Sequence, residues 1–218
     1  MVLTPSPYNL SDGILADFLE RLQRIFAAMD REYTRAIEHY GFRCDGCLQN
    51  CCRTRFHHHT YLEYLYVLAG FKRLDLQRQR EVQSLASEVC RETAKAESEG
   101  TRARLWCPLN GEGRCILYAF RPMICRLHGI PHELQKPGQV VVYGPGCGTF
   151  DDRCANKSYF KFDRTPFYFE MASLESEYKE AAGLKGRIKM TISEMIIEFG
   201  SRNSEVGMKS KKLIAEQR

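Results

Sequence analysis

A mainly α protein with a cysteine-rich, irregular core and at most a short β element is what three features of this 218-residue sequence predict. Apolar residues recur at three- and four-residue steps over several long stretches, the pattern of helices that bury one face. One short stretch reads as a strand, and nine of the ten cysteines lie in the connections between helical stretches. With 44% hydrophobic and 27% charged residues, the chain carries enough apolar surface for one sizeable core.

From Ser11 to Gly41, the residues Ile14, Leu15, Phe18, Leu22, Ile25, Phe26, Met29, Tyr33, Ile37 and Tyr40 form one stripe. This is an amphipathic helix of about eight turns, with Ser11 or Asp12 suited to its N-cap and Gly41 to the left-handed residue that ends it. The stripe drifts from a strict heptad, so it is expected to pack on the core rather than to form a dimer seam. Thr60-Tyr-Leu-Glu63 reads as a capping box that opens a helix from Tyr61 to Phe71, which makes Glu63 a structural partner. Asp75 to Glu97 is a further helix, with Leu76, Val82, Leu85, Ala86, Val89 and Cys90 roughly on one face and Cys90 therefore a small core residue. The strand is Gln139-Val-Val-Val-Tyr143, bounded by Gly138 and Gly144-Pro145-Gly146. Thr165-Pro166 opens a helix through Ala182, and Lys185 to Phe199, closed by Gly200, suggests another. The expected organisation is an N-terminal helix over 1–42, a cysteine-cluster domain over 43–160, C-terminal helices over 161–200 and a basic, partly disordered tail over 201–218.

The formal charge of +5 is concentrated at the end of the chain. From Gly183 to Arg218 there are eight basic residues against four acidic, leaving 24 against 23 before them. The tail lysines Lys209, Lys211 and Lys212 are not interleaved with aromatic residues that could stack on bases, so nucleic acid is not expected as a partner. No basic start leads into an apolar run and no stretch approaches eighteen apolar residues, so secretion and membrane association are not expected and a cytoplasmic location is. In a reducing compartment thiols stay reduced unless they bind metal or do chemistry, which turns ten cysteines toward a metal site.

The cysteines fall into three groups. Cys44-Asp-Gly-Cys47-Leu-Gln-Asn-Cys51-Cys52 follows the long helix, and a two-residue gap lets both thiolates of one turn enter a single coordination sphere. Cys107-Pro-Leu, Cys115-Ile-Leu-Tyr and Arg121-Pro-Met-Ile-Cys125-Arg126 form the second group, and Gly146-Cys147-Gly148 with Cys154 the third. Nine loop thiols could make two four-thiolate zinc sites or one iron–sulfur cluster with cysteines to spare. A four-thiolate site around a divalent ion is net negative, and Arg53, Arg55, Arg114, Arg121 and Arg126 stand close in sequence to supply compensating donors. The irregular core is thus expected to be metal-stabilised, with the number of converging cysteines and arginines favouring a 4Fe–4S cluster over zinc.

The order CxxC…CC, then CPL…CxxY..RPxxCR, then a glycine-flanked cysteine resembles the cysteine cluster proteins of the YkgJ family, a zinc- or iron-chelating domain named for CxxCxxCC. The resemblance runs from Cys44 to Cys147, about half the chain. It implies eight metal ligands, Cys44, Cys47, Cys51, Cys52, Cys107, Cys115, Cys125 and Cys147, with Arg121 and Arg126 beside the cofactor. This chain departs from the pattern in having three residues between Cys47 and Cys51, and Leu117 where isoleucine is usual before Tyr118. The resemblance implies no particular reaction. A similar cysteine arrangement in a flagellin lysine methylase implies one alternative, a cluster-dependent protein-modifying enzyme; the other is a structural zinc protein whose long helix or basic tail meets a protein partner.

Three consecutive histidines cannot easily direct all their rings at one ion, so His57, His58 and His59 read first as a solvated approach to the helix at Thr60, and second as the source of one extra ligand. His128, soon after Cys125-Arg126, is the more promising functional histidine, and Cys154 or His128 could also complete the site. His39 has no special role in this reading. The sequence holds no G-x-S-x-G, Walker loop or dinucleotide-binding glycine pattern.

Overall fold

A computed structural model describes residues 10–43 and 51–201. Cys44, Cys47 and the basic tail lie outside the described residues. The chain is mainly helical, and the described residues form two small antiparallel sheets of two strands each. Among them no helix is long and apolar enough to cross a membrane. The chain divides into two compact units, one of Met1–Cys51, His59–Tyr66 and Arg121–Ile188, the other of Cys52–His58, Val67–Phe120 and Lys189–Arg218.

In the first unit, α1 (Asp12–Tyr40) buries Phe18, Leu22, Ile25, Phe26, Met29, Ala36 and Tyr40 along the predicted stripe. Gly41 ends it in the left-handed region at φ 63°, where a Cβ would be strained. Ser11 occupies the N-cap position but its hydroxyl makes no capping bond. Against α1 lies α6 (Thr165–Ala181), opened by the predicted Thr-Pro pair, with Phe18 and Tyr178 edge to face at 5.4 Å. The first turn of α2 (Tyr61–Phe71) belongs to this unit, as do two short helices absent from the sequence reading, α4 (Met123–Leu127) and α5 (Gly148–Cys154). Phe150 of α5 meets Tyr40 edge to face at 4.7 Å, closing the end of α1.

Strands β3 (His132–Gln135) and β4 (Val141–Gly144) pair in register from His132↔Gly144 to Gln135↔Val141. The predicted strand is present but begins two residues later, and its valines stay exposed. The β-branched run marked a pairing edge, not a buried face, because its polar partner His-Glu-Leu-Gln carries no apolar signal. On the other edge of β3, Glu133 N–H donates to Phe162 O and Arg164 N–H to Glu133 O, each at 2.9 Å, which fastens the start of α6 to the hairpin.

In the second unit, the rest of α2 meets Phe120, whose ring lies directly on Gly70, where a Cβ would overlap it. Helix α3 (Leu76–Ser98) is capped by Asp75, whose carboxylate accepts Arg78 N–H at 2.8 Å. Its buried face is narrower than its sequence suggests: Val82 and Ala86 are buried, while Leu76 and Leu85 are exposed and Cys90 is half-buried. A last helix, α7, covers residues 192–201 of the described chain. It starts later than the Lys185 expected, because Thr191 and Glu194 form a reciprocal capping box, with Thr191 N–H to Glu194 Oε2 at 2.6 Å and Glu194 N–H to Thr191 Oγ1 at 3.3 Å. Phe199 of α7 packs edge to face on Phe71 at 5.9 Å.

Candidate metal centre

The cysteine loops of the second unit converge on Cys107. Cys52 lies on a single helical turn, Cys51–Arg53, and its carbonyl accepts Cys107 N–H at 2.7 Å. From Cys107 the chain turns back on itself: Asn110 N–H donates to Cys107 O at 2.9 Å and Ile116 N–H to Leu109 O at 2.8 Å. Strands β1 (Asn110–Gly111) and β2 (Arg114–Cys115) then place Cys115 opposite Asn110. The reversal needs positive φ at Glu112 (51°) and Gly113 (85°), helped by Asn110 Oδ1, which accepts Gly113 N–H at 3.2 Å.

Cys52 and Cys115 are each near enough to Cys107 to act on its thiol. Burial pushes the Cys107 thiol up to about 12; Leu109 N–H, donated to its sulfur, works against this, and the nearby Cys52 and Cys115 add to the rise. An amide aimed at sulfur favours the thiolate, and a soft cation bound at the sulfur would remove the penalty of burying that thiolate. The donor set therefore suits zinc or an iron–sulfur cluster and does not suit calcium or magnesium, which take oxygen. Among the described residues, no three His, Cys, Asp or Glu side chains stand close enough together to enclose an ion by themselves; two further predicted ligands, Cys44 and Cys47, lie outside them. Around these thiols, Arg53 stacks on Trp106 at 5.2 Å and Arg55 pairs with Glu97 at 2.5 Å.

In the first unit, Cys125 and Cys147 attach to one segment. Cys125 lies on α4, and Cys147 stands at the start of α5, its N–H donating to Gly129 O at 3.0 Å. Gly129 has φ 109°, open only to glycine, and a Cβ there would lie 3.4 Å from the Tyr33 hydroxyl and 3.9 Å from Cys147 Sγ. Both thiols are half-buried. Cys154 is buried in α5 with its thiol toward Tyr40 O at 3.8 Å, so it serves the core.

Helix α4 is held by side chains from every direction. Glu63 forms the predicted capping box with Thr60, Thr60 Oγ1 donating to Glu63 Oε2 at 2.7 Å and Glu63 N–H to Thr60 Oγ1 at 3.2 Å. Its other oxygen accepts Met123 N–H at 3.0 Å, so the same carboxylate caps α4, and burial pushes its carboxyl up. Arg126 reaches Asp30 of α1 at 2.5 Å, donates through Nε to Arg121 O at 2.7 Å and lies over the Phe26 ring at 4.5 Å. Arg121 donates to Cys125 O at 3.3 Å. Tyr33 OH donates to His128 O at 2.8 Å, and Arg164 Nη2 donates to Leu127 O.

Of the histidine triplet, His58 is not solvated. It is 2% exposed and pairs antiparallel with Met190 through both backbone groups, because an extended segment sends alternate side chains to opposite faces. His59 is exposed, as expected. His39, read as having no special role, donates through Nε2 to Ser158 O, 2.9 Å away.

Two polar residues escaped the sequence reading. Glu175 of α6 accepts Tyr61 N–H at 2.9 Å and Leu62 N–H at 3.2 Å, capping α2; a carboxylate on the apolar stripe of Phe167, Met171, Leu174 and Tyr178 was its visible signal. Arg164 had none, because its burial depends on the pairing of residues 162–164 with β3. No protein-family model, no curated protein and no solved structure matches this chain.

Proposed function

We propose that this chain holds a thiolate-bound metal through its cysteine loops, an iron–sulfur cluster or zinc, as its resemblance to the YkgJ-type cysteine cluster proteins implies. The observation that carries the reading is the convergence on half-buried Cys107, whose N–H donates to the Cys52 carbonyl at 2.7 Å and whose hairpin brings Cys115 back opposite Asn110. As a neutral thiol Cys107 is an ordinary packing group; it would serve as a thiolate only with a cation to compensate the charge, which a soft metal supplies. Cys52, Cys107 and Cys115 are the proposed ligands in the loops of the second unit, Cys125 and Cys147 are proposed ligands on the α4 segment, and Cys44, Cys47 and Cys51 are further proposed ligands. Bound, the metal would supply folding energy and, with an iron–sulfur cluster, a one-electron couple. The iron–sulfur reading is preferred because the loop cysteines outnumber the needs of one tetrahedral site.

Anaerobic purification, elemental analysis and a visible spectrum test the proposal. Iron with sulfide and an absorption bleached by dithionite is the expected result; zinc in a colourless protein selects the zinc form, and a protein that neither contains nor takes up either metal overturns the reading. Cys52→Ser, Cys107→Ser and Cys115→Ser should each lower metal content, since serine keeps the size but binds soft metals poorly. Cys90→Ala and Cys154→Ala should leave stoichiometry unchanged; the reverse pattern would refute the ligand assignment.

A further inference from the structure

Arg164 is a buried cation without a counter-ion. Its residue is 4% exposed and it forms no ion pair among the described residues. The neighbours of its guanidinium are Leu127 O, which accepts from Nη2, and the Phe162 ring 5.6 Å away; Nε is buried with no hydrogen-bond partner. Every other buried charged group named above has an answering charge or a set of N–H donors: Arg126 has Asp30, and Glu63 and Glu175 have helix amides. A guanidinium taken out of water with only a carbonyl and a ring face for company lacks the counter-charge that normally offsets its desolvation.

The side chains recorded around the Arg164 guanidinium are aromatic or donors; the acids nearest in the chain are engaged elsewhere, Asp163 accepting Thr165 N–H at 2.8 Å and Glu133 accepting Tyr159 OH at 3.0 Å. Backbone bonds hold residue 164 against β3, one residue along from His132. The His132 ring lies across Gly144, where a Cβ would overlap it, and its buried Nδ1 makes no aligned hydrogen bond. His128, Tyr33 and Tyr168 complete the neighbourhood. Burial first, then the nearby guanidinium, lowers both imidazoles, His132 to about 4, so both are neutral at physiological pH and Arg164 contributes the site's one positive charge.

We propose that Arg164, with His132 and His128, binds a small monovalent carboxylate in the first unit, independently of any metal. One fixed positive charge in a poorly solvated, aromatic setting is balanced by a monoanion, whereas a phosphate dianion would leave a buried negative charge uncompensated. The planar guanidinium fork matches a carboxylate, and the position of Arg164 at the start of α6 adds the positive end of that helix.

The test is an NMR titration of the imidazole carbon-bound protons of the full chain with acetate, against chloride at equal ionic strength, in metal-loaded and in chelated protein. The expected result is a saturable shift of the His132 and His128 signals in both forms, with the exposed His39 unmoved. The shift should be lost in Arg164→Met and retained at about tenfold weaker affinity in Arg164→Lys, which keeps the charge without the fork. Should neither variant fold, the titration of the unmodified protein still decides. No saturable shift there overturns the proposal, and so does a response equal in Arg164→Met. A response to phosphate without one to acetate overturns the choice of ligand. A response only after chelation would make the thiolate centre the resident counter-charge and overturn the site's independence.

Discussion

Replacing Glu175 with glutamine should change stability by an amount that depends on pH. The Glu175 carboxylate caps α2 through Tyr61 and Leu62 N–H, yet the residue is 9% exposed. Burial is the largest influence and raises its carboxyl from 4.5 to about 7, against the pull of those two amides and Lys179. A carboxyl whose folded value lies above its unfolded one holds more protons when folded, so its contribution to stability is lost as pH rises from about 4.5 to about 7. At roughly 1.4 kcal/mol per unit, the loss is about 3 kcal/mol. Glutamine never ionises but offers one acceptor where the carboxylate offers two, a pH-independent cost of about 1 kcal/mol. Glu175→Gln is therefore expected to be less stable than the parent by about half a kcal/mol near pH 4.5 and more stable by about 2 kcal/mol near pH 8. Urea unfolding followed by far-ultraviolet circular dichroism at both pH values measures it, and titrating groups other than Glu63, whose charge acts on Glu175, cancel in the difference. A difference that moves by less than about 1 kcal/mol between the two pH values would show that burial does not control this carboxyl.

Gly70→Ala drives a methyl group into the Phe120 ring, and an overpacking cost of about 1–3 kcal/mol should appear in the same unfolding assay; a neutral result would mean the ring moves freely. The Arg126–Asp30 pair should respond asymmetrically, because the arginine side chain is 4% exposed and the aspartate 46%. Asp30→Ala leaves a buried cation and should cost about 2–3 kcal/mol, whereas Arg126→Met leaves a solvated carboxylate and should cost about 1 kcal/mol; the opposite order refutes the argument.

What sequence alone could reveal followed from local rules. The stripe of α1, the Thr60–Glu63 box and the Thr165-Pro166 start are each determined within about four residues, and each is where the sequence predicts it. Helix α4 is five residues long and contains too little periodicity to register; it exists because Glu63 and Arg164 satisfy its ends from elsewhere in the chain. Long-range pairing also explains β3, whose polar sequence becomes a strand because β4 lies on one edge and Phe162–Arg164 on the other. At the candidate site, spacing grouped Cys107 with Cys115, and the hairpin between them is the physical reason. Spacing could not separate Cys154, whose neighbours in sequence match those of a loop ligand but whose helix turns it toward Tyr40.

The two cysteine-bearing segments differ in what holds them, and that difference predicts how they respond to loss of metal. Helix α4, which carries Cys125, is fixed by Glu63 at Met123 N–H, by Arg126 to Asp30, by Arg164 to Leu127 O and by Tyr33 to the His128 carbonyl. None of these bonds passes through sulfur. The Cys107–Cys115 hairpin has two residue pairs of ladder, and its Cys107 thiol, neutral at physiological pH, adds no bond that would hold it in the absence of a metal. Thiolate coordination of a structural metal is worth roughly 10–16 kcal/mol in small domains, far more than two ladder pairs can supply. Under chelation, the amides of Met123–Leu127 should therefore keep their protection against hydrogen exchange while those from Cys107 to Cys115 lose theirs. Peptide-resolved exchange on metal-loaded and chelated protein measures both at once. If α4 lost protection together with the hairpin, its side-chain bonds would be too weak to hold it, and the metal would organise both segments; if neither changed, the hairpin would stand without metal and the role assigned to Cys107 would fall.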